Sequence, residues 1–190
     1  RFNFTYASKI CSGDTVNFKN NSSLKSGYLN YTWNFGTGNA GDTVNSVEPS
    51  FKFLTGGTFN VSFKAISSPY YFVFTKSYSV VVNTRPTASF TKENACIGND
   101  LRITNNTTPS NSTMSWDFGD GNGSVINNKP SFVIQYTKAA TYSVKLVANN
   151  GGCISSSTLK IIVFDRNIIR IFNFNGLNNC SKSGDRKSTR

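Results

Sequence analysis

Asp117 and Asp120 are the most closely spaced carboxylates of this chain, in Trp116-Asp117-Phe118-Gly119-Asp120-Gly121. Two carboxyl groups flanking a sugar linkage are what glycoside hydrolysis uses. Here no neighbouring side chain offers the partners that would push the two pKa values apart and divide acid from base. The other acids stand mostly alone, nine carboxylates in all against 20 Lys and Arg. Histidine is absent, which removes Ser-His-Asp and Cys-His nucleophile systems and imidazole-based zinc sites. The four cysteines, Cys11, Cys96, Cys153 and Cys180, are too far apart for a CxxC knuckle. The residues therefore point away from an enzyme, and no cofactor motif is present.

Non-covalent recognition is the remaining chemistry. Tyr70-Tyr71-Phe72-Val73-Phe74 is the densest aromatic stretch, and Tyr70 and Tyr71 are candidate ligand-facing rings for a sugar. The alternative is a last strand buried on both sides or pairing at a unit junction. The net charge is +11; that of the body is thin and spread singly along strands, as at Lys19, Lys52, Lys64, Lys145 and Lys160. Such charge attracts anionic glycans, lipopolysaccharide or nucleic acid; equally, it makes a solvated face that keeps strand edges unpaired. Aromatic and basic residues do not alternate as in a nucleic-acid platform, so no nucleic-acid partner is expected. No run of 18 or more apolar residues exists to span a membrane as a helix.

The elements that would carry these residues are strands. Phe, Tyr, Val, Thr and Ile dominate while helix formers are scarce, and 15% charged residues is too little for a fully disordered chain. The class is all-β. Arg1-Phe2-Asn3-Phe4-Thr5 already alternates like a strand, with no signal peptide ahead of it; the chain reads as one whose signal was removed or as a slice of a longer protein. Self-similarity organises the rest. Tyr31-Thr32-Trp33-Asn34-Phe35-Gly36-Thr37-Gly38 recurs as Met114-Ser115-Trp116-Asp117-Phe118-Gly119-Asp120-Gly121, and Gly57-Thr58-Phe59-Asn60-Val61 as Ala140-Thr141-Tyr142-Ser143-Val144. Cys11, Cys96 and Cys180 follow at nearly the same interval, so the boundaries are 1–84 and 85–164 for two units and 165–190 for the start of a truncated third repeat or a basic tail. Period-two alternation predicts strands at 15–19, 31–35, 50–54, 58–66 and 70–82 in the first unit. In the second it predicts 88–91, 100–105, 114–118, 131–136, 141–149 and 154–164. Thr84-Arg85-Pro86 is a short, stiff hinge, which would set the units end to end.

At the WNFGTG and WDFGDG segments the sequence resembles the PKD (polycystic kidney disease) domain family, over nearly all of residues 1–164. The resemblance implies tandem Ig-like antiparallel β-sandwiches. It implies a fold core of Trp33, Phe35, Trp116 and Phe118, with Tyr142 placed as a corner tyrosine whose hydroxyl ties a loop. The first unit departs from the pattern at Asn34, Thr37 and Phe59. Cys96 and Cys153 bracket the second unit, and a disulfide between them is expected, the alternative being two buried thiols; Cys11 is left without an evident partner, and Cys180 would find its partner beyond the chain. Some PKD domains of secreted enzymes bind calcium, which makes Asp117 and Asp120 calcium candidates. Two carboxylates are few for an ion that takes six to eight oxygens, and the alternative is a strand residue plus a turn former.

The Asn- and Gly-rich style resembles PKD arrays in large surface proteins of Bacteroidetes-type bacteria, cargo of the type 9 secretion system. The implied role is a non-catalytic structural or adhesion module: a spacer or stalk segment of a long secreted or cell-surface repeat protein. The alternative is a carbohydrate- or protein-binding module appended to a secreted enzyme or adhesin. Expected partners are neighbouring repeats of the same chain, surface glycan or other surface proteins, and the secretion machinery.

Overall fold

In the computed structural model, which describes residues 2–25 and 27–165, there are sixteen β-strands and no helix among the described residues. The chain forms two compact units. Of the described residues, one unit takes those up to Arg85 together with Asn150–Cys153, the other Pro86–Asn149 and those from Ile154 to Asp165. The expected third start lies outside the described residues, apart from Asp165.

The first unit is anchored by a four-stranded antiparallel sheet in the order β5 (Thr43–Val44), β4 (Tyr28–Asn34), β7 (Gly57–Ser68) and β8 (Val73–Val82). Facing strands form two short pairs: β1 (Phe4–Thr5) with β3 (Lys19–Asn20), and β2 (Thr15–Asn17) with β6 (Ser50–Lys52). The alternation of β7 sends Val61, Phe63 and Ala65 inward while Asn60 and Lys64 face solvent. The register lays Trp33 opposite Phe63. The core is aromatic: Phe4, Phe18, Trp33, Phe35, Phe53 and Phe63 are buried together. Trp33 meets Phe4 edge-on at 5.0 Å and Phe63 near-parallel at 5.1 Å, geometries the ring quadrupoles favour.

The second unit repeats this plan. A five-stranded sheet runs β10 (Ala95–Cys96), β16 (Cys153–Phe164), β15 (Ala140–Asn150), β12 (Thr113–Asp117) and β13 (Ser124–Ile126). A three-stranded sheet runs β14 (Ser131–Ile134), β11 (Leu101–Asn105) and β9 (Phe90–Lys92). Trp116, Leu101, Ile103, Val144, Leu146 and Ile161 fill the space between them. Trp33, Phe35 and Trp116 are fully buried, whereas Phe118 and Tyr142, expected in the core, are half-buried at its margin.

Both units use the same local devices. Each Trp indole donates to a loop carbonyl: Trp33 Nε1 to Ser46 O at 2.9 Å, and Trp116 Nε1 to Asn127 O at 3.0 Å. This satisfies the polar end of a ring that is otherwise wholly apolar in its contacts. Two residues past the end of each aromatic strand a glycine turns the chain. Gly36 N donates to Asn34 Oδ1 and Gly119 N to Asp117 Oδ1, both at 2.9 Å. At φ +70 and +69 a side chain would be strained, and a Cβ would lie 2.6 Å from Asn60 O or 2.7 Å from Ser143 O.

Two expectations change here. The disulfide joins Cys11 to Cys153, Cα–Cα 5.6 Å, and not Cys96 to Cys153. The reason is register. Cys96 pairs in parallel with Phe164, the last residue of β16, while Cys153 is the first residue of that strand. At about 3.3 Å per residue, eleven steps along one strand hold the two positions roughly 36 Å apart. Cys96 is not a free thiol either; the expected position of Cys180 lies outside the described residues. Second, the last strand of the first unit begins at Val73, so Tyr70 and Tyr71 are not in it. At the hinge, Arg85 is held to the first unit: its guanidinium pairs with Asp14 at 2.5 Å and its N–H donates to Ser12 Oγ at 2.9 Å.

Candidate binding surface

The turn joining β7 to β8 carries the aromatic stretch singled out in the sequence. Ser67, buried beneath it, closes the turn with three hydrogen bonds. Its N–H donates to Phe72 O (2.9 Å), its carbonyl accepts from Tyr71 N (2.8 Å), and its Oγ accepts from Phe72 N (3.0 Å). Tyr70, Tyr71 and Phe72 are 67%, 77% and 63% exposed, and Val73 continues the apolar surface. Tyr70 and Phe72 stand near-parallel with centroids 6.3 Å apart. Tyr71 sits at φ +57, the one non-glycine residue in the left-handed region among the described residues. For an L-residue with a bulky side chain this costs about 1–2 kcal/mol, and such strain clusters at functional sites. Across the sheet, Tyr28 is the register partner of Ser68 and is itself 64% exposed. The expectation of a strand buried on both faces therefore fails at Tyr70 and Tyr71: a tight turn cannot bury consecutive rings against its own sheet.

This tip offers flat hydrophobic faces with phenol rims and no nucleophile or carboxylate. It is suited to stacking and to hydrogen bonding, as aromatic anchors do at interfaces and sugar sites, and not to bond-making.

The carboxylate pair is engaged otherwise. Asp117 Oδ1 accepts from Gly119 N; Asp120 Oδ1 accepts from Asn122 N at 3.0 Å and its Oδ2 from the Asn122 amide at 2.9 Å. Both shape their own turn, as aspartates in such loops do. Among the described residues no cluster of three or more His, Cys, Asp or Glu could hold a metal ion. Nearby, the Tyr136 hydroxyl donates to Phe118 O at 2.8 Å, and burial, reinforced by the charges of Asp120 and Asp117 and by Tyr142, pushes its pKa far above 10.0. Tyr142 stacks on Tyr136 at 3.8 Å and donates to Lys138 O at 2.9 Å, tying the turn before its strand. Tyr136 escaped the sequence reading because nothing in its spacing distinguishes it from the other strand aromatics. So did Asp42, a buried carboxylate that accepts from the Thr37 hydroxyl and from Gly38 N at 2.5 Å, closing the first unit's equivalent loop.

Two shallow concavities lie in the first unit. One of about 410 Å³ lies over Lys9, Asp14 and Val16; another of about 440 Å³ lies between β4 and the loop through Asn45, Ser46 and Val47. Neither adjoins a cluster of titratable groups.

The sequence profile of the PKD domain matches residues 2–68 and 73–163. Among curated proteins none matches the chain significantly. Solved structures with related architecture include three N-terminal domains of the highly immunogenic outer capsid protein of bacteriophage RB49. That pair shares 13% identity with a TM-score of 0.40, over 86% of this chain and 59% of the other. An I-band fragment of titin shares 13% identity with a TM-score of 0.45, over 87% and 65%. Extracellular domains 3–5 of Drosophila OTK share 12% with a TM-score of 0.48, over 85% and 61%. The chain thus spans less than two thirds of each of these molecules. With two repeats of the same aromatic-turn-glycine device and a family profile matching most of its length, the chain is a tandem member of the PKD domain family.

Proposed function

We propose that this chain is a non-catalytic adhesion segment of a longer secreted or cell-surface protein, in which two PKD sandwiches carry the binding tip of the first. The exposed Tyr70-Tyr71-Phe72 turn carries this reading. Monomeric proteins seldom keep consecutive aromatic rings in water without a partner to cover them. Holding Tyr71 in a strained conformation to present its ring adds to the argument. The partner class we favour is surface carbohydrate, since ring faces stack on the C–H faces of sugars and phenol hydroxyls bond their rims. Neighbouring repeats of the same polypeptide supply reach. Compositional likeness to Bacteroidetes-type surface proteins supports export as type 9 secretion cargo.

Binding of the full chain to immobilised bacterial and host polysaccharides, with retention measured by affinity electrophoresis, tests the reading. Retention on at least one polysaccharide that drops about tenfold or more in a Tyr70→Ala, Tyr71→Ala double variant supports it. Retention on none, or retention unchanged in that variant, refutes it.

A further inference from the structure

We propose that the outer edge of β4, residues Tyr28–Thr32 of the first unit, is a docking site for an extended peptide strand of alternating sequence and neutral-to-acidic charge from a partner protein. β4 is paired along its whole length with β7, from Tyr28 opposite Ser68 to Asn34 opposite Ser62. On its other side it pairs with β5 only at Trp33 and Asn34. Five residues of backbone edge are left open, about 17 Å of strand at roughly 3.4 Å per residue.

The second unit shows the same edge sealed. Met114 holds there the place that Tyr31 holds here, two residues before the tryptophan. Its N–H donates to Asn128 Oδ1 at 2.8 Å, and its carbonyl accepts from Asn127 N at 3.1 Å. Asn127 also accepts the Trp116 indole, the job of Ser46 in the first unit. The residue after Ser46 is Val47, so the side-chain acceptor is gone. The loop is held to β4 by Thr32 Oγ1, which donates to Asn45 Oδ1 at 2.8 Å, but among the described residues no loop or side-chain group bonds Tyr31 N or O, and a groove of about 440 Å³ lies between loop and strand.

The groove's chemistry selects its occupant. Its unmet groups are backbone N–H and C=O, whose complement is another backbone in strand geometry. Leu29 and Tyr31 point to the core side and are only partly buried, with exposed Val47 beside them; Asn30 and Thr32 alternate toward solvent. A strand lying there would therefore place apolar residues over Leu29, Tyr31 and Val47 and polar ones beside Asn30 and Thr32. Natural edges are blunted by charge or proline, and Tyr28-Leu29-Asn30-Tyr31-Thr32 contains neither. Near the edge in sequence stand exposed Lys25, three residues before Tyr28, and Glu48, one beyond Val47; Lys64 lies on β7, on the other side of β4. The chain's net charge of +11 opposes a second copy of itself and favours a neutral or acidic partner.

The probe is a synthetic heptapeptide, Thr-Val-Ser-Val-Thr-Ile-Glu, titrated into the uniformly ¹⁵N-labelled full chain. Saturable shifts centred on the Leu29 and Tyr31 amides are expected, with slowed exchange at Tyr31. Val47→Asn, which restores the acceptor present in the second unit, should weaken binding about tenfold or more, and so should alternate N-methylation of the peptide. Tyr71→Ala should leave it unchanged, which separates this site from the aromatic tip. No saturable shift, shifts elsewhere, or full binding by Val47→Asn or by the N-methylated peptide would each overturn the proposal. Concentration-dependent dimerisation of the chain through the same amides would replace the partner strand by a second copy and overturn it too.

Discussion

Tyr136→Phe removes one hydroxyl and little else, because the ring stack with Tyr142 at 3.8 Å does not need it. What is lost is the bond to Phe118 O at 2.8 Å, leaving a half-buried carbonyl unpaired. The cost at neutral pH should be about 1.5 kcal/mol. The pH dependence is more telling. Burial, followed by the charges of Asp120 and Asp117 and the neighbouring Tyr142, raises the folded-state pKa of Tyr136 above its ordinary 10.0. A raised folded pKa means the unfolded chain loses this proton first. The stabilisation is therefore whole below pH 10 and is lost as pH climbs from 10 toward the folded value, at about 1.4 kcal/mol per pH unit. Denaturant unfolding of wild type and Tyr136→Phe, followed by tryptophan fluorescence from pH 8 to 11.5, reads the difference directly. The other tyrosines cancel between the two proteins. The stability gap should hold near 1.5 kcal/mol to pH 9.5 and close almost to zero by pH 11. A gap that stays constant across that range refutes the reasoning that Tyr136 is kept neutral by its surroundings.

Trp116→Ala empties a fully buried site and should lower the stability of the second unit by about 3–5 kcal/mol in urea unfolding. Gly119→Ala combines a strained φ of +69 with a Cβ 2.7 Å from Ser143 O; thermal unfolding should show a loss of about 2 kcal/mol or more, where Gly121→Ala, with open space around it, loses less. Cys11→Ala, Cys153→Ala releases a cross-link between residues 142 apart in sequence and should lower stability by about 2–5 kcal/mol in denaturant, whereas Cys153→Ala alone should leave Cys11 reactive to a thiol probe. Adding millimolar calcium should leave the thermal midpoint unchanged, since Asp117 and Asp120 already accept bonds from their own turn; a rise of several degrees would reinstate them as ligands.

The periodic parts of the fold were legible because period two and the recurring tryptophan segment each report a local physical need. β7 reads Phe59, Val61, Phe63, Ala65 on one side and Asn60, Lys64 on the other, and nothing distant overrides it. The short strands β3, β5, β10 and β13 have two or three residues each and no run long enough to show a period. Tyr142's role in tying a turn could be anticipated, since its acceptor, Lys138 O, lies four residues upstream. Tyr136 could not, since its acceptor, Phe118 O, lies eighteen residues away, just past the end of β12.

Composition, alternation and repetition by themselves determined an all-β chain of two similar units, the resemblance of the tryptophan segments to the PKD family implied the sandwich with a Trp in each core, and the lack of histidine set aside whole classes of catalysis. These follow from backbone geometry and side-chain chemistry, which act within a few residues. Which cysteines meet was decided only in three dimensions, because sequence order does not say which end of a long strand a residue occupies: Cys153 begins β16 and Cys96 lies beside its end. The exposure of Tyr70 and Tyr71 was decided there too. The same apolar letters would serve a buried strand, and it is the turn closed by Ser67 that aims them at solvent. The open edge of β4 likewise depends on Val47 standing where the other repeat has Asn128, a difference whose meaning appears only when the loop is seen to run beside the strand.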